Sequence, residues 1–108
     1  MRRGDIVTVS APGDYGKPRP AVVVQSDWLS DTDSVLVSLM TSTIRDAPSF
    51  RLSLDPGPET GLRVPSQVMV DKIAALPRAK CGPIIGRLSG PSLIELNRML
   101  SVIFGLAD

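Results

Sequence analysis

Histidine is absent from this chain, cysteine occurs once, and aromatic residues make up only 4% of it. Without histidine the commonest general base and metal ligand is missing. The single Cys81 cannot close an internal disulfide or build a cysteine zinc site, and it fits a reducing compartment. With no imidazole to activate it, a structural thiol is expected rather than a nucleophile. No apolar run approaches the roughly 18 residues of a membrane span. Met1-Arg2-Arg3-Gly4-Asp5 is basic, but no apolar segment of signal-peptide length follows, so a cytoplasmic protein is expected. Charge of one sign is also lacking: 12 basic against 11 acidic residues leave a net charge of +1. Any affinity for nucleic acid must therefore come from a local patch, doubled where two copies assemble. Lys17, Arg19, Arg45 and Arg51 are the candidates, and a solvated surface charge is the alternative for each. Converging carboxylates for a metal are not evident either. Asp31 and Asp33 flank Thr32 in a polar loop and read as turn residues. Gly82-Pro83-Ile84-Ile85-Gly86 lacks the Lys-Ser/Thr ending of a phosphate-cradling loop. No metal and no cofactor are expected.

What is present is a series of short β-prone runs. The 108 residues suit one domain spanning residues 1–108. Strands are expected at Asp5–Ser10, Arg19–Ser26, Ser34–Thr41, Phe50–Leu54 and Ser66–Asp71, with a short one at Pro83–Arg87. Lys72–Lys80 reads as irregular or a short helical turn. One long helix follows, with Ser89 or Ser92 as its cap and a capping-box spacing from Ser92 to Glu95. Leu93, Leu96, Leu100, Ile103 and Phe104 share its apolar face, and Gly105 stops it. Five or six short strands and a C-terminal helix predict a mostly β protein, a bent antiparallel sheet or partly open barrel with the helix packed on it.

The densest local signal is Gly16-Lys17-Pro18-Arg19-Pro20-Ala21-Val22-Val23-Val24-Gln25. Two prolines fix φ on either side of Arg19 at the mouth of a buried strand. A guanidinium held that way suits a phosphate, which it grips through two parallel hydrogen bonds; pairing with Asp5 or Asp14 is the alternative. The remaining chemistry is that of Arg, Lys, Asp and hydroxyl groups. RNA needs little more for its own cleavage, since its 2′-hydroxyl adjoins the scissile phosphate and needs only alignment and charge stabilisation.

Gly4-Asp5-Ile6-Val7, Arg19 to Gln25, Thr41-Ser42-Thr43, Pro65 to Ile73, and Ile85 to Ser89 with the helix through Leu106 stand in the order seen in MazF/PemK-type toxins of bacterial toxin–antitoxin pairs, and the chain resembles that family over nearly its whole length. The resemblance implies an SH3-like barrel (the MazF/CcdB-like fold) with a C-terminal helix, assembled as a homodimer. It implies a metal-independent endoribonuclease, an mRNA interferase, cutting single-stranded mRNA at short sequences and blocked by a cognate antitoxin. It assigns Arg19 to phosphorane stabilisation and Thr41 to a phosphate hydrogen bond, with Thr43 as fallback on the same face. It aligns Asp71 with an acid that orients the 2′-hydroxyl, a structural Asp71 being the alternative. Tyr15 and Trp28 are candidates for base stacking, and Trp28 also for filling a core edge. Met69 stands where some members carry an arginine. Two other classes remain: a gyrase-binding toxin on the same barrel, whose Trp-Gly-Ile ending this chain lacks, and a non-catalytic SH3-like binding module.

Overall fold

The computed structural model describes residues 1–10 and 17–107. Six strands run β1 (Asp5–Val9), β2 (Arg19–Val23), β3 (Ser34–Thr41), β4 (Arg51–Leu54), β5 (Ser66–Pro77) and β6 (Cys81–Arg87), and one helix, α1, spans Gly90–Ile103. They form one antiparallel sheet in the order β4-β5-β3-β2-β1-β6. Alternation along the strands sorts the core onto two faces. Val7, Val9, Ala21, Val23, Val35, Val37 and Leu76 form one buried cluster on one face of this open sheet. A 3-10 turn, Arg78–Lys80, joins β5 to β6. Ile6, Val22, Met40, Val68 and Val70 point to the other face, under Leu96, Met99 and Leu100 of α1.

Two expectations change here. β5 does not stop at Asp71 but continues to Pro77, because β3 offers a full-length partner from Ser34↔Pro77 to Thr41↔Gln67. A register shift opposite Ser38–Met40 absorbs the extra residues of β5, as a bulge does. β2 ends at Val23 rather than Ser26: the Val24 and Gln25 amides both donate to the Leu36 carbonyl, at 3.1 and 3.2 Å, and the ladder stops there.

Ser89 is the helix cap, its Oγ accepting from the Ser92 amide at 3.2 Å, so Ser92 lies inside the helix. At the other end Gly105 takes φ +71°, while the Gly105 and Leu106 amides donate to the Val102 and Ser101 carbonyls. This is the Schellman closure. Phe104 becomes the C-cap and stays 61% exposed, so it leaves the apolar face to which its spacing assigned it.

A candidate phosphodiester cleft

The β2–β3 register pairs Ala21 with Leu39. The ladder ends there, two residues short of Arg19 on β2 and of Thr41 on β3, the ends of their strands. Neighbouring strands lie about 4.8 Å apart, and residues two apart share a face. On its far side Thr41 pairs with Gln67 at the start of β5. Thr41 thus stands on the middle of three strand ends, with Arg19 on one flank and the segment leading into β5 on the other.

These ends open onto a cleft of about 980 Å³. Lys17, Arg19, Thr41 and Thr43 all line it, with Thr8, Ser42, Arg63 and Ser66. Among the described lining residues there are three cations and no carboxylate. Five hydroxyl side chains add donors that rotate to suit an acceptor. Such a surface accepts an anion. Asp5, one alternative partner for Arg19, is taken: its carboxylate accepts from Arg87 Nη1 at 2.6 Å and from the Arg2 amide at 2.7 Å. Asp14, the other, lies outside the described residues, as does Tyr15.

Other expected site residues fall elsewhere. Asp71 is exposed beside the β5 irregularity. It stands four residues along β5 from Gln67, about 13 Å at the usual strand rise, and is not part of the cleft lining. Trp28 is 94% exposed in the β2–β3 connection, at the opposite end of β2 from Arg19, so neither core packing nor a place in this cleft describes it. That connection is itself held. Gln25 Nε2 donates to Leu29 O at 2.6 Å, and Arg78 Nε donates to Thr32 O at 2.6 Å. Arg45 and Arg51 line a separate hollow of about 300 Å³ toward α1, shared with Asp46 and Glu95. Arg51 is turned inward, Nη1 donating to Thr43 O at 3.3 Å and to Gln67 Oε1 at 3.2 Å. It props the loop after β3 and does not line the cleft. Its Nε is buried and, among the described residues, unpartnered.

Gln67 was not anticipated. It is 3% exposed, and its amide holds the loop that carries Ser42 and Thr43. Oε1 accepts from the Arg45 amide at 3.0 Å, and Nε2 donates to Arg45 O at 2.9 Å and to Ser53 Oγ at 3.2 Å. A glutamine inside a β run marks a buried amide, but nothing in its neighbours reveals partners 14 to 22 residues away. Cys81 is only partly exposed; burial pushes its thiol pKa up, with Arg78 pulling it partly back. A raised pKa favours the inert thiol, as expected for a structural cysteine.

Fold and cleft together define a small SH3-like β protein with a cationic, hydroxyl-rich cleft at one end of its sheet. Residues 2–104 match the model of the PemK-like, MazF-like toxin of type II toxin–antitoxin systems. The chain is 42% identical over 108 residues to the probable endoribonuclease MazF of Mycolicibacterium smegmatis, covering 99% of each protein. Among solved structures it superposes on an endoribonuclease in complex with its cognate antitoxin from Mycobacterial species, with a TM-score of 0.80, 21% identity, and coverage of 98% and 96%. It also superposes on the Mycobacterium tuberculosis toxin MazF-mt6, with a TM-score of 0.80, 22% identity, and coverage of 94% and 96%. A MazE–MazF structure from Deinococcus radiodurans gives a TM-score of 0.78 at 20% identity, covering 97% and 95%. At such identities the superpositions speak for the fold. The chain belongs to the PemK-like, MazF-like toxin family. It is a MazF-type endoribonuclease toxin, and the gyrase-binding and non-catalytic alternatives fall away.

Proposed function

We propose that this protein cuts single-stranded mRNA at short sequences, without a metal ion, by attack of the substrate's own 2′-hydroxyl. The observation that carries the reading is that Arg19 and Thr41 line one cleft, among whose described lining residues there is no carboxylate. In this reaction the 2′ oxygen forms a bond to phosphorus and gives up its proton, while the P–O5′ bond breaks and the departing 5′ oxygen gains a proton. The products are a 2′,3′-cyclic phosphate, open to hydrolysis to a 3′-phosphate, and a 5′-hydroxyl. Charge builds on the non-bridging oxygens as the phosphorane forms. Arg19 supplies a permanent positive charge and two parallel donors there. Thr41 Oγ1 supplies a third donor. A donor aimed at charge that develops only in the transition state contributes about 3–4 kcal/mol to the rate. Lys17 and Thr43 hold the flanking backbone. The exposed Asp71, away from this cleft, is assigned a structural part at the β5 irregularity.

Among the described residues no three His, Cys, Asp or Glu side chains come together. A homodimer extends the cationic surface of one small domain into a longer groove. A cognate antitoxin that covers the groove is the expected partner; two structures of like fold are themselves toxin–antitoxin complexes. The cytoplasm, where mRNA is found, is the expected site of action. No helix among the described residues is long and apolar enough to cross a membrane.

The experiment is incubation of purified protein with a long single-stranded RNA, with and without EDTA, followed by end-group analysis. Discrete fragments bearing cyclic or 3′-phosphate and 5′-hydroxyl ends, unchanged by EDTA, are the expected result. Intact RNA overturns the endoribonuclease reading; inhibition by EDTA that added metal reverses overturns the metal-free mechanism.

A further inference from the structure

Arg63 lies in the loop between β4 and β5 and is exposed on the wall of the cleft. A solvated surface arginine is the common case. Three features set this one apart. It shares a cleft with Lys17 and Arg19, and no described lining residue offers a carboxylate to neutralise it. It stands three residues before the Ser66 that opens β5, and so on the flank of Thr41 opposite Arg19. And its backbone is fastened.

The fastening is specific. Gly61 takes φ +71° and packs so tightly on β6 that a Cβ there would lie 1.9 Å from the Ile85 carbonyl oxygen. Gly86 repeats the close approach from the other side, a Cβ there falling 2.1 Å from Thr60 O. The Arg87 amide donates to Glu59 O at 2.9 Å, the Gly57 amide to Leu62 O at 3.2 Å, and the Leu62 side chain is buried in the core beneath α1. A side chain thrown from a fixed backbone loses less entropy on binding than one on a loose loop.

We propose that Arg63 grips a backbone phosphate of the RNA next to the scissile one, so that the strand lies across Thr41 between two guanidinium groups. Arg19 serves the reacting phosphate, and Arg63 sets the register of the strand. This rests on the ribonuclease reading of the cleft and adds a substrate-positioning contact to it.

The test compares wild type with Arg63→Ala and Arg63→Lys in steady-state cleavage of a defined RNA. A labelled RNA is also titrated at several salt concentrations against the same pair of substitutions in an Arg19→Ala background. For Arg63→Ala the expected results are a KM about tenfold higher, a kcat within about twofold, and a salt slope shallower by roughly one phosphate contact. Arg63→Lys keeps the salt slope, since it keeps the charge. Unchanged KM and slope overturn the proposal. So does a loss of kcat alone, or a loss matched by a lowered thermal midpoint that Arg63→Lys does not restore. If wild type leaves RNA uncut, the ribonuclease reading fails, and the binding titrations still decide whether Arg63 contacts RNA.

Discussion

Gln67 satisfies both polar groups of Arg45 at once, accepting from its amide at 3.0 Å and donating to its carbonyl at 2.9 Å. It does so from the second residue of β5, next to Thr41 on β3. One buried amide therefore fixes the loop after β3 relative to the strand end that faces the cleft. Gln67→Ala leaves the Arg45 peptide groups and the Arg51 guanidinium short of partners, at a cost of about 1–3 kcal/mol. The expected outcome is a lowered thermal midpoint with weaker RNA binding, read by calorimetry and by titration of labelled RNA. A midpoint equal to wild type contradicts this role.

Arg19→Ala is expected to remove about 10²-fold or more of kcat, the scale of a lost transition-state donor. The side chain sits at the exposed start of β2, so thermal unfolding should match wild type. Cleavage at the normal rate by this variant would take Arg19 out of the mechanism.

Thr41→Ala is expected to lower kcat more than it weakens RNA binding, because the hydroxyl acts on charge that appears only as the reaction proceeds. Thr41→Ser keeps the donor and should recover most of the rate. Equal losses in kcat and affinity would reduce Thr41 to an ordinary binding contact.

Gly61→Ala meets two obstacles together. An L-residue at φ +71° costs about 1–2 kcal/mol, and the Ile85 carbonyl must move to admit the methyl. Chemical denaturation should show a loss beyond about 2 kcal/mol. Gly57→Ala, where a Cβ would meet nothing within 4 Å, separates crowding from backbone strain. A loss at Gly61 no larger than the backbone strain of about 1–2 kcal/mol would mean that the close approach to β6 contributes nothing.

Cys81 should react with a thiol reagent at neutral pH more slowly than free cysteine. Burial raises its pKa and so reduces the thiolate fraction. The labelling rate should climb as pH is raised. Faster labelling than free cysteine at pH 7 would contradict the raised value.

Where local pattern and tertiary pairing agree, the elements are readable from the chain. β3 occupies Ser34–Thr41, the run that its β-branched residues mark out, and Arg19 opens β2 as the proline-flanked motif implies. Lys72–Pro77 is different. Its Ala74-Ala75 pair and terminal proline are poor strand formers, and only the partner β3 holds them extended. Phe104 obeys helical spacing, but the chain leaves the helix at that residue, and geometry overrides period. Arg19 and Lys17 stood out by their proline-flanked cationic motif, and Thr41 and Thr43 through the family resemblance; all four line the one cleft. Arg51 alternates as a half-buried strand residue should, yet its partners at Thr43 and Gln67 depend on how the loop folds back. Gln67 escaped because its partners lie 14 to 22 residues away, and Arg63 because only folding brings the β4–β5 loop to the cleft wall.

β3 is flanked by strands on both edges, and Thr41 is its last residue. Local opening begins at margins and tips, while a doubly bonded middle strand opens only with the whole domain. The hydroxyl assigned to chemistry thus rides at the tip of a central strand, tied to β5 through the Thr41–Gln67 pair while the β2–β3 ladder ends two residues earlier at Leu39. Fraying of that tip would disarm the toxin before the domain melts, so mild warming should cost activity ahead of the thermal midpoint.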